Sequence, residues 1–186
     1  MTEAILLTLQ KRLPYERFKH TVYTMHAMDL AAKVYGLNVE QASLAGLCHD
    51  FAWAMPIDQM VSTLNRYESL LLSQLTGPQR RNSTFLHGPV SAWVAVEYGV
   101  NEEAVFLAIR EHSGCFAEMT LLSRCLRVVD LTVALPVSDK RRDQMFRHLM
   151  TGGLDTVEKM IAKHNLGRSS APPKLPSNQP STTPPA

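Results

Sequence analysis

Four histidines and two aspartates stand at predicted helix ends or inside apolar helices, where together they could bind metal ions. These residues are His20, His49, Asp50, His87, His112 and Asp130. Imidazole nitrogens suit iron, manganese, zinc and nickel, and a carboxylate can bridge two ions. The three cysteines form no CxxC pair, which argues against a purely structural zinc site. Taken together, the six residues are typical of a buried dinuclear metal site.

Asp130 is the strongest single indication, because it lies in the largely apolar segment 126–137. An ionised carboxylate in such a segment is costly unless it is paired or bound to a metal. Arg127, one helical turn earlier, offers the alternative of a surface ion pair. Each histidine taken alone also has an ordinary interpretation as a hydrogen-bonded core residue. The prediction of a metal site therefore depends on the six residues as a set.

Helices must position these residues. His20 shares a helical face with Thr24, Ala27 and Ala31, and such a stripe of small residues lets a second helix approach closely. The segment that ends at Asp50 carries a similar face of small residues. We therefore expect both segments to pack against other helices around a common site.

Residues 1–167 are predicted to form one all-α domain of about nine helices, because no stretch alternates polar and apolar residues long enough to favour a strand. Prolines, glycines and capping residues set the predicted helix limits. These limits are 2–13, 14–36, 38–50, 57–66, 85–98, 101–112, 118–135, 138–150 and a last helix from 155, with a further short helix at 68–75 and a loop at 76–84.

The composition of the 186 residues, 45% hydrophobic and 19% charged, is typical of a globular domain. No apolar run approaches the roughly 18 residues of a transmembrane helix. The N-terminal segment lacks the basic start and the cleavage site of a signal peptide. We therefore expect no membrane partner and a cytoplasmic location.

The segment 168–186 holds six of the eleven prolines and is predicted to be a disordered Pro/Ser-rich tail. Two of the 19 basic residues and none of the 17 acidic residues lie in it, so residues 1–167 carry 17 of each. A neutral domain argues against nucleic acid as a partner, since nucleic-acid-binding domains usually present a basic surface.

Five segments, in this order, resemble the HD superfamily of metal-dependent phosphohydrolases, and within it most of all the symmetrical diadenosine tetraphosphate hydrolases. The segments are RFKHTVYTMHAMDLA (17–31), QASLAGLCHD (41–50), FLHGPVSAWVA (85–95), AIREHSG (108–114) and LLSRCLRVVDL (121–131). The resemblance covers about residues 15–135. A lone His-Asp pair is a weak signal, whereas five motifs at compatible spacing are a specific one.

The resemblance implies two divalent metal ions, with iron as the first expectation and manganese, nickel or zinc as alternatives. One ion would be held by His20, His49, Asp50 and Asp130, and the second by His87, His112 and the bridging Asp50. The implied fold is an HD-domain helical bundle. Members of this family also tend to form homodimers.

The activity implied by the resemblance is cleavage of diadenosine tetraphosphate into two molecules of ADP. Asp50 and Arg17 would be the catalytic residues, with Arg17 one turn before His20 and in contact with phosphate. A hydroxide that bridges the two metals would attack phosphorus, while the metals neutralise charge on the phosphate oxygens.

Two positions near these motifs differ from the family pattern and are candidate substrate-binding residues beside Arg17. Trp53 stands where the family usually has lysine three residues after the aspartate, so a cation is replaced by an indole that could stack on a base or pack in the core. Ser113 replaces the usual threonine after the fourth histidine and keeps the hydroxyl.

Two other functions remain open from the sequence. An HD-type di-iron oxygenase uses a similar histidine-rich site, and the missing lysine weakens the case against it. A non-catalytic HD-type module could bind nucleotide or metal and signal without hydrolysis. The full set of six candidate ligands favours the hydrolase, because an expensive buried cluster is hard to explain without chemistry.

Overall fold

The computed structural model describes residues 2–114, 116, 118–134 and 137–165. Within these residues it contains eleven α-helices and no β-strand. They are α1 (Thr2–Arg12), α2 (Tyr15–Tyr35), α3 (Val39–Cys48), α4 (Ile57–Tyr67), α5 (Ser69–Gln74), α6 (Gly77–Arg80), α7 (Ser83–Glu97), α8 (Glu103–Glu111), α9 (Leu121–Ala134), α10 (Asp139–Met150) and α11 (Leu154–Asn165). The prediction of an all-α helical bundle is confirmed, whereas the predicted tail at 168–186 lies outside the described residues.

Two local differences from the predicted helix limits have identifiable causes. The segment 76–84, predicted as a loop, contains α6, because the Gln79 side chain accepts a hydrogen bond from the Thr76 backbone N–H at 2.8 Å and completes a capping box. Helix α9 begins at 121 rather than 118, because the Thr120 hydroxyl accepts the Ser123 N–H at 3.1 Å. The described residues thus contain eleven helices where about nine were expected, and of the two short additional ones α5 matches the further helix predicted at 68–75 while α6 was not predicted.

The predicted cap of α3 is present in the structure. Asn38 precedes the helix, and its side-chain oxygen accepts the Gln41 backbone N–H at 3.0 Å. This bond satisfies one of the backbone donors that the first turn of a helix leaves unpaired. The cap fixes where α3 starts and thereby helps to fix the position of its C-terminal end.

Helix α3 lies at the centre of the bundle and contacts α2, α7, α8 and α9. Its closest approach to α2 is at Gly46, where an added Cβ would lie 2.9 Å from the Met25 Cα. A contact this short requires glycine, so the predicted small-residue face of α3 is a true helix-packing surface.

Within the described residues, no helix is long and apolar enough to cross a membrane.

Candidate metal centre

Three of the four candidate histidines have one ring nitrogen held by a backbone carbonyl of their own helix or cap. The Nδ1–O distances are 2.8 Å from His49 to Gly46, 2.7 Å from His112 to Ile109 and 3.2 Å from His87 to Ser83. Since a carbonyl oxygen only accepts, Nδ1 carries the proton in each ring. Nε2 is therefore the atom directed into the site, which is the arrangement found in metal-binding histidines.

Two of these histidines occupy the same structural position, the residue immediately after a helix. His49 follows α3 and His112 follows α8. The last carbonyls of a helix lack intrahelical partners, and each of these rings supplies a donor to the carbonyl three residues earlier. The ring position is thus determined by the helix end itself, which makes the two imidazoles rigid.

The carboxylates of Asp50 and Asp130 lie between the histidines on one side of the site. Asp130 Oδ1 is 2.9 Å from His20 Nε2 and 3.6 Å from His49 Nε2. Asp50 Oδ2 is 3.1 Å from His49 Nε2 and 3.9 Å from His20 Nε2. Helices α2, α3 and α9 therefore bring two imidazoles and two carboxylates to one point.

The other side of the site is a pair of imidazoles. His87 Nε2 lies 3.0 Å from His112 Nε2, and it lies 3.7 Å from Asp50 Oδ1. Burial lowers the pKa of His87, and burial together with the neighbouring His87 lowers the pKa of His112 to about 3. Both rings are thus neutral at physiological pH, and both Nε2 atoms present lone pairs. Two lone pairs that face each other at this distance favour a cation between them.

The six candidate residues form three overlapping groups, in each of which the donor atoms lie within 4.8 Å of one another. The groups are His20–His49–Asp50, His49–His112–Asp130 and Asp50–His87–His112. Asp50 belongs to the first and the third. The structure therefore brings all six residues together, with Asp50 between the two halves.

Two atoms of the cluster are buried and have no hydrogen-bond partner among the described residues. They are His49 Nε2 and Asp50 Oδ2, which lie close to each other but not in hydrogen-bond geometry. A buried polar atom without a partner costs about 1–3 kcal/mol, and more when the group is charged. A cation bound between these atoms would remove that cost, so the donor set fits a divalent metal.

On the carboxylate side of the site, the pKa values are set mainly by the attraction between the carboxylates and the neighbouring cationic groups. Burial alone would raise the pKa of Asp50, but the neighbouring His49 and Arg17 hold it well below its usual range. Burial would likewise lower the pKa of His49, yet the two carboxylates raise it to about 10. The pKa of Asp130 is also held well below its usual range, against burial, by His20 and His49. Both carboxylates are therefore ionised, and without a metal His49 carries a second proton on Nε2, which a bound cation would displace.

Arg17 and Trp53, two of the predicted substrate-binding residues, lie together at this site. The Arg17 guanidinium pairs with both carboxylate oxygens of Asp50, with a 2.7 Å bond to Oδ1. Its Cζ lies 3.5 Å from the centroid of the Trp53 ring, which is a close cation–π contact. This contact could not be predicted from the sequence, because Arg17 is on α2 and Trp53 is in the turns after α3.

Ser113, the third candidate, holds the two helices of the imidazole pair together. Its hydroxyl accepts the Gly88 backbone N–H at 3.1 Å. An added Cβ at Gly88 would lie 2.3 Å from the Ser113 Oγ and 3.1 Å from the Arg110 carbonyl oxygen. The space at Gly88 is too small for a Cβ, so α7 lies close to α8 here, and His87 is next to His112.

Comparison with known proteins identifies the family. The model of the HD domain matches residues 17–135. The chain belongs to the HD-domain family. The matched range holds all six residues of the cluster, and the resemblance seen in the sequence is thereby confirmed.

Curated relatives carry a more specific name. The chain is 28% identical over 163 residues to a "Bis(5'-nucleosyl)-tetraphosphatase, symmetrical" of Staphylococcus aureus, covering 84% of this chain and 79% of the relative. It is 31% identical over 129 residues to the protein of the same name from Bacillus subtilis, covering 69% and 67%. These relatives confirm the resemblance to the symmetrical tetraphosphatase branch of the HD family.

A solved structure confirms the fold. A crystal structure from Clostridium acetobutylicum, described as a predicted HD superfamily hydrolase involved in NAD metabolism, matches with a TM-score of 0.77. The match covers 90% of this chain and 86% of the other, at 24% sequence identity. At this identity the likeness establishes the helical architecture that positions the cluster.

Proposed function

We propose that this protein is a metal-dependent phosphohydrolase that cleaves diadenosine tetraphosphate symmetrically into two molecules of ADP. The observation that carries the proposal is the convergence of four imidazoles and two carboxylates on one buried point, with His49 Nε2 and Asp50 Oδ2 left without hydrogen-bond partners among the described residues. The substrate is suggested by the names of the relatives from two bacteria.

The proposed metal content is two divalent ions. One would be held by His20, His49, Asp50 and Asp130, and the other by His87, His112 and the bridging Asp50. Iron is the first expectation because of the family resemblance, and imidazole and carboxylate donors suit manganese, nickel and zinc as alternatives. Two features support this assignment, namely the Nδ1 bonds that aim Nε2 into the site and the position of Asp50 between its two halves.

The proposed roles of the protein groups follow from their surroundings. Bound divalent ions would lower the pKa of a water molecule toward neutrality and neutralise charge on phosphate oxygens. Asp50 is buried and ionised, so it can hold both ions at a fixed separation. The Arg17 side chain is 15% exposed and pairs with Asp50, and its guanidinium is a group that can meet a phosphate. Buried walls around the cluster exclude bulk water and strengthen these interactions.

The test is product analysis with protein loaded with Fe(II) in the absence of oxygen. Diadenosine tetraphosphate is added, and the nucleotides are separated by ion exchange. ADP as the sole product supports symmetrical cleavage, whereas ATP with AMP would move the site of attack. Absence of turnover with two metals bound per chain would contradict the hydrolase proposal and favour the non-catalytic module. Oxygen uptake with another substrate would favour the oxygenase.

A matched pair of variants tests whether the hydrolysis takes place at the six-residue cluster. Asp50→Asn removes the bridging carboxylate with little change in shape, while Asp143→Asn makes the same change on the exposed side of α10. The first should abolish ADP formation and the second should leave it unchanged. Equal activity in the two variants would mean that the hydrolysis does not arise at this cluster.

The remaining predictions from the sequence stay predictions. They are the cytoplasmic location, the pairing of two chains into a homodimer, and the division into a domain of residues 1–167 and a tail of residues 168–186. They bear on where and in what assembly the protein works, not on the chemistry of the cluster.

A further inference from the structure

Trp53 is an exposed aromatic residue at the edge of the metal centre. It lies in the turns between α3 and α4, three residues after Asp50, and its backbone N–H donates to the Asp50 carbonyl at 2.9 Å. It is 39% exposed, whereas Trp93, the other tryptophan, is 2% exposed. Aromatic side chains beside a few convergent polar groups are the usual lining of a small-molecule site.

Two neighbours fix the orientation of the Trp53 ring. The Arg17 guanidinium covers one face, with Cζ 3.5 Å from the ring centroid, and Arg17 is itself anchored on Asp50. The His87 ring stands almost perpendicular to the indole, with 5.2 Å between ring centroids. The indole is therefore held against two residues of the site, Arg17 and His87, while the residue as a whole stays 39% exposed.

We infer that the exposed surface of Trp53 binds a nucleobase of the substrate by aromatic contact. The inference rests on the proposed function and adds the part of the substrate that the cluster itself does not recognise. Phosphate groups would be bound by the metal ions and Arg17, and an uncharged indole contributes nothing to them. A nucleobase has an extended π surface, and its contact with an aromatic side chain is favourable for every base type.

The chemical class of the ligand follows from these separate roles, in which the metal ions and Arg17 bind phosphate and Trp53 binds the base. The site takes nucleoside polyphosphates in preference to inorganic polyphosphates, because only the former can use Trp53. Since aromatic contact depends little on the identity of the base, it also tolerates guanine in place of adenine.

The test compares two ligands that differ in the presence of the nucleoside. Binding of ADP and of inorganic diphosphate is measured by calorimetry on metal-loaded protein, for the natural chain, Trp53→Leu and Trp53→Phe. Trp53→Leu should weaken ADP binding roughly tenfold and leave diphosphate binding within about twofold. Trp53→Phe should retain most of the ADP affinity, because the aromatic surface is kept.

A second readout uses the fluorescence of the natural protein. ADP should quench tryptophan emission, and the quenching should be absent in Trp53→Leu, in which only the buried Trp93 remains. Tyr15→Leu is the matched control, because Tyr15 is 72% exposed and has the Lys19 Nζ 5.2 Å from its ring centroid. This variant should bind both ligands as the natural protein does.

The outcomes separate the inference from the proposed function. Equal weakening of ADP and diphosphate by Trp53→Leu would overturn it, because Trp53 would then act only by positioning Arg17. Unchanged binding of both ligands would also overturn it. Selective loss of ADP binding in Trp53→Leu supports the role of Trp53 even if diadenosine tetraphosphate is not hydrolysed. If the protein hydrolyses diadenosine tetraphosphate symmetrically but Trp53→Leu does not distinguish ADP from diphosphate, the proposed function holds and the role of Trp53 is wrong.

Discussion

Two of the groups of buried charged side chains in the described residues differ in how far their polar atoms are paired. In the first, Glu68 lies between α7 and α8. One carboxylate oxygen accepts the Trp93 indole N–H at 2.9 Å, and the other accepts the Arg110 Nε at 2.9 Å. In the second, the metal centre, His49 Nε2 and Asp50 Oδ2 are buried without a hydrogen-bond partner among the described residues.

We interpret this difference as that between a structural cluster and the proposed functional one. The Glu68 group is closed, because the carboxylate, the guanidinium and the indole satisfy one another. In the candidate metal centre, Arg17 pairs with Asp50 and His20 contacts Asp130, but the pairing is incomplete. The lone pairs of His87 and His112 face each other, and His49 Nε2 and Asp50 Oδ2 have no hydrogen bond among the described residues. Since buried polar groups are nearly always paired, atoms left unpaired at one point indicate a ligand. Burial of charge alone does not distinguish the two groups, whereas their pairing does.

The largest effect is expected from Asp50→Asn, which removes the carboxylate shared by both halves of the metal centre. We expect kcat/KM for diadenosine tetraphosphate to fall about 10³-fold or more, because metal binding and phosphate neutralisation are both impaired. Kinetics and metal analysis measure the effect, with circular dichroism as the check of folding. Full metal content together with full activity would remove the basis for calling this cluster functional.

Glu68→Ala is expected to act on stability. It leaves the Arg110 guanidinium buried without its counter-charge, and breaking a buried ion pair in this way costs about 3–5 kcal/mol. Urea denaturation measures the loss, and metal content per folded chain should not change. If the variant loses metal while keeping its stability, the division between a structural and a functional cluster is wrong.

Gly88→Ala is expected to affect both properties, because it forces apart the helices that carry His87 and His112. The added methyl group would meet the Ser113 Oγ and the Arg110 carbonyl oxygen, and overpacking of this kind costs about 1–3 kcal/mol. Thermal denaturation and metal analysis should both show a loss. In the double variant with Ser113→Ala, part of the loss should be recovered, since the closest contact is removed; no recovery would argue against this account of the contact.

The smallest effect is expected from Asn38→Ala, which removes the cap of α3 far from either group of charges. Loss of such a cap costs about 1 kcal/mol. Urea denaturation should show this decrease, while kcat/KM and metal content stay as in the natural protein. A strong loss of metal would show that the start of α3 controls the position of His49 more tightly than its helix-end bonds do.

The helical fold and the grouping of the six residues of the candidate metal centre could be predicted from the sequence. The residue types, their order and their helical surroundings define the set, and the Asn38 cap follows from a local pattern. Helix α6 also had a local signal, since Thr76 and Gln79 have the spacing of a capping box, but the surrounding polar residues favoured a loop.

The contacts that distinguish the two groups could not be predicted. Glu68 lies 25 residues from Trp93 and 42 from Arg110 along the chain, and each residue alone is typical of an ordinary helix surface or core. The stacking of Arg17 on Trp53 likewise joins separate elements. Such pairs depend on how helices pack, and a single sequence carries no signal of that packing.

The most direct test of the central claim is anomalous X-ray scattering from crystals of metal-loaded protein. The account predicts two anomalous peaks, one bounded by His20, His49, Asp50 and Asp130, and the other by Asp50, His87 and His112. Glu68 should have no peak near it. Absence of a peak at the six-residue cluster, in protein that carries metal, would contradict the claim that its unpaired atoms mark a metal site.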